Sequence, residues 1–223
     1  MKWRSFCIFL VFLQLMNNSF GQSGDELIKK IDTRLSKVET TVTKVITDSA
    51  YMHLHSLPAF REVIRLHALP EKIKINADNE PGIPITVKGI VVDTAGNIQT
   101  NKLLYVYQTS ALGWYADTGV HISGNEGDRR HASLFGYCKT DGFGKFEFKT
   151  IKPAGYPNSG LPAHIHIEVT ISKHKKLITE LQFDDDPRLT GNIRERSIKE
   201  HFLIEKNIGT AEAPVYSYRL VIL

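Results

Sequence analysis

The chain has 223 residues, of which 42% are hydrophobic and 23% are charged. This composition is ordinary for a folded globular protein and excludes a largely disordered one. The length suits one β-rich domain with an appendage, or at most two small domains. A formal net charge of +4 is too small to favour nucleic acid or an anionic membrane as a partner.

Residues 1–21 have the pattern of an export signal. Lys2 and Arg4 make the start positive, residues 6–16 form an apolar run too short to span a bilayer, and small residues precede the end of the segment. Cleavage removes two basic residues and lowers the net charge from +4 to +2. We therefore expect a secreted or periplasmic protein with no stable membrane insertion after cleavage. A short membrane anchor is the alternative.

Residues 25–50 repeat apolar side chains at intervals of three and four, which predicts an amphipathic helix. The apolar seam consists of Leu27, Ile31, Leu35, Val38, Val42 and Val45. A narrow seam of this kind can dock on its own domain or pair with a second copy as a homodimer. Residues 51–77 are less regular and contain a predicted short helix at 59–68, so we assign 22–77 to a helical arm and linker.

From residue 78 onwards the apolar period changes from helical to extended. Short runs of β-branched and aromatic residues alternate with turns that contain glycine. The predicted strands cover residues 85–92, 103–108, 134–140, 145–151, 163–171, 177–183 and 215–223, with a helix at 193–202. This spacing predicts a mainly β fold in residues 78–223, an antiparallel β-sandwich core that carries the N-terminal helical arm.

Four side chains in this domain point to metal chemistry. His164 and His166 lie two residues apart in a predicted strand, so both imidazoles face the same side. Tyr156 stands just upstream in a loop stiffened by proline and glycine, and Tyr115 follows another predicted strand. A phenolate is a hard oxygen ligand that suits a hard, highly charged cation such as Fe(III). Singly, each of these residues is more often structural; together they predict an iron(III) site.

The order and spacing of these motifs resemble the intradiol ring-cleavage dioxygenases, which include the protocatechuate and catechol dioxygenases. The resemblance covers roughly residues 78–223 and rests on Pro81-Gly82-Ile83-Pro84, Gly113-Trp114-Tyr115, Thr140-Asp141-Gly142, Tyr156-Pro157 and Pro162-Ala163-His164-Ile165-His166. It implies a β-sandwich that binds Fe(III) through Tyr115, Tyr156, His164 and His166. It also implies cleavage of a small aromatic diol by O2, between the two oxygen-bearing carbons, to a muconate-type diacid.

The resemblance further implies a catalytic role for Tyr156, which leaves the metal when the diol binds and then acts as a base. Two positions depart from the family. Leu161 stands where the family usually has arginine, and Glu180, which we include among the catalytic residues, stands where it often has glutamine. Lys152 or Arg130 are candidates to replace the missing cation.

These departures keep a second hypothesis open, a catalytically degenerate or non-catalytic β-sandwich binding module of the same fold. A cupin is disfavoured because Glu168 follows the histidine pair too closely. The polar stretch 124–131 predicts a loop over the site. His121 and His131 are candidates for the rim of the site, although solvated loop positions are the preferred interpretation of both. Cys138 is alone once the signal is removed, which excludes an internal disulfide and predicts a buried thiol.

Overall fold

The structure is a computed structural model and describes residues 24–116 and 132–223. The predicted export signal at 1–21 lies outside the described residues. The chain divides into two compact units, Met1–Thr41 and Val42–Leu223. Within the two described ranges, none of the helices combines the length and the apolar character that crossing a membrane requires.

The first unit contains helix α1 (24–36), which ends at a backbone reversal where Val38 adopts a φ of 58°. The N–H of Glu39 donates to the carbonyl of Arg34 at 2.9 Å and closes the last turn. The prediction of one helix over 25–50 is therefore wrong, and Val38, assigned to the apolar seam, is 84% exposed. Residues 37–41 are not helical, and helical structure resumes only at Val42, so the predicted single helix is interrupted there.

Three short helices open the second unit. They are α2 (Val42–Thr47), a 3₁₀ helix (Ser49–Leu54) and α3 (Pro58–Leu66). Pro58 suits the first position of α3, because the N–H of that position has no partner within a helix. Helix α3 confirms the short helix predicted at 59–68, and it buries Phe60 and Ile64 on one face.

In the described residues, nine strands form two sheets. The strands are β1 (Ile73–Lys74), β2 (Pro84–Asp93), β3 (Leu103–Gln108), β4 (Leu134–Lys139), β5 (Lys145–Ile151), β6 (His164–Ser172), β7 (Lys175–Phe183), β8 (Leu203–Glu205) and β9 (Val215–Ile222). Helix α4 (Gly191–Lys199) lies between β7 and β8 in the chain. The sheet orders are β1-β5-β2-β9 and β4-β3-β6-β7-β8. The two-sheet sandwich, all seven predicted strands and the helix predicted at 193–202 are confirmed.

Strand pairing is mixed rather than purely antiparallel. Within the described residues, β1 with β5, β2 with β9 and β7 with β8 pair in parallel. Each parallel pair is joined by a long connection, as parallel strands require. Strands β1 and β8 were not predicted because two or three residues carry too little alternation to be recognised. Since β1 belongs to a sheet, the β-structure already begins within the segment predicted as linker.

The inner faces of the two sheets supply the core. Strand β9 alternates buried and exposed side chains along its length, as a half-buried strand should. The rings of Phe183 (β7) and Tyr216 (β9) meet edge to face at 4.7 Å and join the sheets. The buried hydroxyl of Tyr218 (β9) donates to the carbonyl of Gln182 (β7) at 3.0 Å. The sandwich therefore holds β7, and through it β6, at a fixed position.

The outer face of the five-stranded sheet is aromatic and packs against α3. The guanidinium of Arg61 lies 4.0 Å from the ring centre of Phe135. It donates to the hydroxyl of Tyr105 and to the carbonyl of Ala132, at 2.7 Å each. A third bond of 2.7 Å reaches the carbonyl of His55. This buried cation fixes α3 and the 3₁₀ segment over the face that carries the histidine pair.

His55 gives this packing a pH dependence. Its ring is buried between Phe60 and Phe135, and Nδ1 donates to the carbonyl of Ser133 at 2.7 Å. Burial lowers the pKa of His55 from 6.5 to about 4, although the bond to Ser133 opposes the shift. Because the folded pKa lies below the unfolded one, the stabilisation is complete above about pH 6.5 and is lost as the pH falls toward 4.

We expect the free energy of unfolding to fall between pH 6.5 and 4, with His55 contributing up to about 3 kcal/mol of the loss. His55→Asn keeps a donor for Ser133 but does not titrate, so its urea-unfolding free energy should depend less on pH over this range. His53→Asn, at an exposed neighbouring position, should retain the wild-type slope. Equal slopes for the wild type and His55→Asn would contradict the assignment.

Candidate metal centre

His164 and His166 lie at the start of β6, and the pleat places both imidazoles on the outer face of the sheet. Their Nε2 atoms are 3.2 Å apart. Nδ1 of His164 lies 2.8 Å from the carbonyl oxygen of Pro162, which can only accept, so Nδ1 carries the proton. The lone pair of His164 Nε2 is then available to a cation.

Tyr115 is held by a tight turn that follows β3. The N–H of Ser110 donates to the carbonyl of Trp114 at 2.8 Å, and the N–H of Gly113 donates back to Ser110 at 3.0 Å. The N–H of Ser133 fixes the carbonyl of Tyr115 at 2.6 Å. These bonds aim the phenol at the histidine pair, and its hydroxyl oxygen lies 2.9 Å from Nε2 of His166.

Tyr156 lies in the loop between β5 and β6, and hydrogen bonds join this loop to the turn that carries Tyr115. The N–H of Ala154 donates to the carbonyl of Ser110 at 3.1 Å, and the hydroxyl of Thr109 donates to the carbonyl of Ala154 at 2.7 Å. Gly113 allows the two loops to approach, because a Cβ there would lie 2.5 Å from the carbonyl oxygen of Gly155. The two loops therefore place their tyrosines as one unit.

The four predicted ligands converge. The hydroxyl oxygen of Tyr156 is 2.6 Å from that of Tyr115, 3.1 Å from Nε2 of His164 and 3.3 Å from Nε2 of His166. Ligand atoms that share one ion about 2 Å away lie roughly 2.9–3.3 Å apart for cis or tetrahedral geometry. The spacing therefore fits a single cation, and two oxygens with two imidazole nitrogens suit Fe(III).

Burial raises the pKa of the Tyr115 phenol, and the neighbouring Tyr156 raises it further. A phenolate at this position therefore requires a cation beside it. A trivalent ion supplies the opposing electrostatic effect and favours loss of the phenolic proton. The chemistry of the donor set thus agrees with a metal of high charge.

Glu180 belongs to the same cluster. It pairs with His166 across β6 and β7, and ligand atoms of His164, His166 and Glu180 lie within 4.8 Å of one another. The buried amide of Gln182 donates to the Glu180 carboxylate at 3.0 Å and fixes its direction. The structure therefore brings together the five residues that the sequence analysis named as metal ligands or catalytic residues.

Tyr107 supports the site and was not selected from the sequence. It pairs with His166 across β3 and β6, and the two rings stack with centroids 4.6 Å apart and an interplanar angle of 11°. Tyr107 is 1% exposed, so the stacked imidazole has little freedom to rotate. The alternation of Tyr105 and Tyr107 on β3 was visible, but the pairing of β3 with β6 was not.

The two proposed substitute cations are not part of the cluster. Lys152 donates to Asp185 at 2.7 Å and lies over the ring of Phe183, so its charge is already paired. Arg130 lies outside the described residues. Leu161, at the position where the resemblance expects arginine, is 43% exposed in the loop that leads to His164.

The predictions for residues 124–131, His121 and His131 also fall outside the described ranges. Cys138 is buried, as expected for a structural thiol, and burial raises its pKa to about 12. This thiol is therefore a small apolar group at neutral pH.

A cavity of about 350 Å³ borders the turn that carries Tyr115, where Ser110, Leu112 and Ser133 form part of its wall. A larger groove of about 710 Å³ lies over the four-stranded sheet, beside Lys88 and Tyr218, and includes none of the five cluster residues. The lining of the smaller cavity likewise includes none of the five cluster residues.

Comparison with known proteins agrees with this geometry. A family model described as dioxygenase matches residues 57–221. Catechol 1,2-dioxygenase 1 of Acinetobacter lwoffii is 27% identical over 164 residues, which is 66% of this chain and 51% of that protein. The beta chain of protocatechuate 3,4-dioxygenase of Burkholderia cepacia is 35% identical over 125 residues, 50% of each chain. The chain belongs to the intradiol ring-cleavage dioxygenase family.

This member of the intradiol dioxygenase family spans about half the length of the curated relatives it matches. Among solved structures, it is similar to the dioxygenase domain of a dioxygenase and carbohydrate-binding protein fusion from Streptomyces sp. SirexAA-E. The identity is 25%, the TM-score is 0.52, and the alignment covers 70% of this chain and 88% of that domain.

The crossing of the two tyrosine loops gives a test of the site's construction. Gly113 has a φ of +83°, and an added Cβ would also lie 2.9 Å from Cδ of Pro157. Gly113→Ala should therefore lower the free energy of unfolding by about 2–4 kcal/mol in urea denaturation. Gly142→Ala, where nothing lies within 4 Å of the added Cβ, should change it by less than about 0.5 kcal/mol. Similar effects of the two substitutions would refute the tight crossing.

Proposed function

We propose that this protein is an Fe(III)-dependent intradiol dioxygenase that cleaves a small aromatic diol with O2 to a muconate-type diacid. The observation that carries the proposal is the convergence of Tyr115, Tyr156, His164 and His166, whose ligand atoms approach one another to 2.6–3.3 Å. Membership of the family supports it, as do relatives named catechol 1,2-dioxygenase and protocatechuate 3,4-dioxygenase.

Tyr115, Tyr156, His164 and His166 would hold the iron. When bound, Fe(III) polarises and orients the diol and draws electron density from its ring, so that a ring carbon can react with O2. The side chains of the protein must then remove protons from the diol and help to orient it. No separate organic reductant is needed, because the diol itself supplies the electrons.

Exposure distinguishes the two tyrosines. Tyr115 is 8% exposed, and its ring lies against that of Tyr107 with centroids 6.2 Å apart, so it is confined. Tyr156 is more accessible and approaches both histidines. Of the two ligands that would hold the iron, Tyr156 is therefore the one with room to move aside for a diol, and its oxygen would accept one proton from a diol hydroxyl.

A diol that binds through both oxygens must lose a second proton. Glu180, opposite His166 on β7 and oriented by Gln182, is the carboxylate that can accept it. Because Glu180 is only partly buried, it can pass the proton to water. In this proposal Glu180 contributes a base and a negative charge that a glutamine at the same position would not.

The second candidate is a catalytically degenerate binding module of the same fold. Leu161 favours it, because this side chain offers no positive charge to stabilise an activated ring. The arrangement of the four ligands favours the enzyme, since a module that binds only sugar or peptide has no need for two phenols beside two imidazoles.

Secretion or periplasmic location, and a homodimer through residues 25–50, stay predictions from sequence patterns. We propose no nucleic-acid partner and no stable membrane insertion after removal of the signal, on the basis of charge and of the short apolar run. Size-exclusion chromatography with light scattering of the mature chain tests the dimer directly.

The visible spectrum of the ferric protein tests iron ligation. We expect a strong phenolate-to-iron charge-transfer band that shifts or weakens in Tyr115→Phe and in Tyr156→Phe. Tyr107→Phe is the matched control, because Tyr107 stacks on His166 without belonging to the four-atom cluster, and it should keep the band. A colourless protein that nevertheless binds ferric iron would contradict phenolate ligation.

Turnover is tested by adding catechol under air and following the ultraviolet absorbance of the ring-opened diacid. Tyr156→Phe should lower kcat by roughly 10²-fold, the usual contribution of a positioned base. A coloured wild-type protein that forms no diacid from catechol or its ring-substituted analogues would support the binding module instead.

Glu180→Gln should keep the phenolate band but lower kcat by roughly 10²-fold with little change in KM, because it removes a base and leaves the ligands in place. Glu195→Gln, at an exposed position of α4, should leave both parameters unchanged. Unchanged or faster turnover in Glu180→Gln would show that Glu180 is not the second proton acceptor.

A further inference from the structure

The turn between β7 and α4 lies beside the metal cluster without contributing a ligand to it. The carbonyl of Asp186 accepts from the N–H of Leu189 at 3.0 Å, and the side chain of Asp186 accepts from the N–H of Arg188 at 2.7 Å. Leu189 is 3% exposed and anchors the turn in the core. We call residues 186–188 the support turn.

The support turn binds the segment that joins two of the ligands, residues 156–164. The second carboxylate oxygen of Asp186 accepts from the N–H of Ala163 at 2.7 Å. Nη1 of Arg188 donates to the carbonyls of Tyr156 and Leu161, at 3.3 Å each. Three backbone groups of residues 156–164 are thus bound by Asp186 and Arg188, which lie outside that segment.

The N–H of Ala163 and the carbonyl of Pro162 belong to the same peptide unit. Asp186 holds the N–H side of that unit, and Nδ1 of His164 donates to the carbonyl side at 2.8 Å. Because the peptide is planar and rigid, the carboxylate fixes the plane to which the imidazole is bonded. Hydrogen bonds in such a chain also polarise one another, so the negative charge strengthens the carbonyl as an acceptor.

The segment needs this support because its own bonds are few. Residues 157–163 form no helix or strand. Besides the bond of His164 to Pro162, the N–H of Ser159 donates to the carbonyl of Tyr156 and the N–H of Leu161 donates to the hydroxyl of Ser159. Ordering such a segment costs conformational entropy. Gly155 leaves the space that Arg188 uses, since an added Cβ would collide with Nη1 of Arg188 and with the carbonyl of Leu161.

We infer that Asp186 and Arg188 are positioning residues for the metal centre: Asp186 orients His164 through the Pro162–Ala163 peptide, and Arg188 fixes the backbone that carries Tyr156. The inference rests on the proposed function. Holding Tyr156 by its carbonyl leaves the phenol ring free to turn away from the metal and return. A carboxylate bonded through a peptide gives the imidazole the orientation and basicity that metal-ligating histidines usually take from a direct partner.

The decisive variants are Asp186→Asn, Asp186→Ala and Arg188→Met. We expect Asp186→Ala to weaken ferric iron binding by roughly 10- to 100-fold, the size typical of lost ligand support. Asp186→Asn should fall between Asp186→Ala and the wild type. Arg188→Met should shift the phenolate-to-iron band and lower kcat more than it raises KM, and Arg188→Lys should restore part of the loss.

The matched controls are Asp184→Asn and Arg194→Met. Asp184 lies in the same connection between β7 and α4, and Arg194 lies in α4. The two are paired with each other, and among the described residues neither side chain bonds to residues 156–164. They make the same changes of charge, so iron affinity and the band should stay as in the wild type. If the controls lose iron as strongly as the test variants, the effect is general loosening of the connection and the inference is wrong.

A measurement on the metal-free protein separates this inference from the proposed function. Hydrogen exchange of the Ala163 amide should become at least roughly tenfold faster in Asp186→Ala and remain slow in Asp184→Asn, because only the first loses the acceptor. Unchanged exchange at Ala163, or wild-type iron affinity in Asp186→Ala, would overturn the role of Asp186. A wild-type protein that binds no ferric iron, yet shows the exchange difference, would instead refute the proposed function.

Discussion

Two phenol oxygens and two imidazole nitrogens approach one another to 2.6–3.3 Å on the outer face of the five-stranded sheet. Polar groups so close and so little exposed are costly unless each finds a partner. Few protons are available for hydrogen bonds among these four atoms. His164, for example, carries its proton on Nδ1, which donates to Pro162, so its Nε2 atom has only a lone pair. One cation would meet the lone pairs of all four atoms at once. The need to bring four lone pairs to one cation explains why the surrounding strand and loops hold these side chains so closely.

Three separate parts of the chain bring the four atoms together. Strand β6 fixes the histidines by its pleat, and the two loops that carry the tyrosines cross where Gly113 lies against the carbonyl of Gly155, so that a side chain at Gly113 would prevent the approach. Stacking of Tyr107 on His166 limits the rotation of that imidazole. The Pro162–Ala163 peptide, which is bonded to Asp186, limits the rotation of the His164 imidazole. A rigid sandwich thus supports loops that do the chemistry, a division of roles common among enzymes.

The charge of the site distinguishes this chain from what the resemblance implies. Glu180 adds a carboxylate within 4.8 Å of both histidines, whereas Leu161 adds no cation and Lys152 is already paired with Asp185. Within the described residues, Arg188 is a cation bonded directly to the backbone of the loop that carries Tyr156 and Leu161. The centre is therefore more negative than one with arginine and glutamine at these positions, which suits a trivalent metal and a diol that must lose two protons.

Several elements followed from the sequence because their causes are local. The two-residue spacing of His164 and His166 determines that they share a face, and alternation along β9 determines which side is buried. The helix predicted over 25–50 failed, because a periodic seam does not reveal the backbone reversal at Val38. Strands β1 and β8 were too short to carry a pattern, and their parallel pairing depends on distant partners.

The sequence by itself determined the sandwich class and the family resemblance, because residue chemistry and local spacings carry that information. It also predicted Tyr115, Tyr156, His164 and His166 as ligands, and the resemblance added Glu180. Only the tertiary structure decided that Tyr107 stacks on His166, that Asp186 supports His164, and that Lys152 is paired elsewhere. These contacts join residues far apart in the chain, 23 positions in the case of Asp186 and Ala163. Their formation depends on strand order and loop crossing, which no local pattern of side chains encodes.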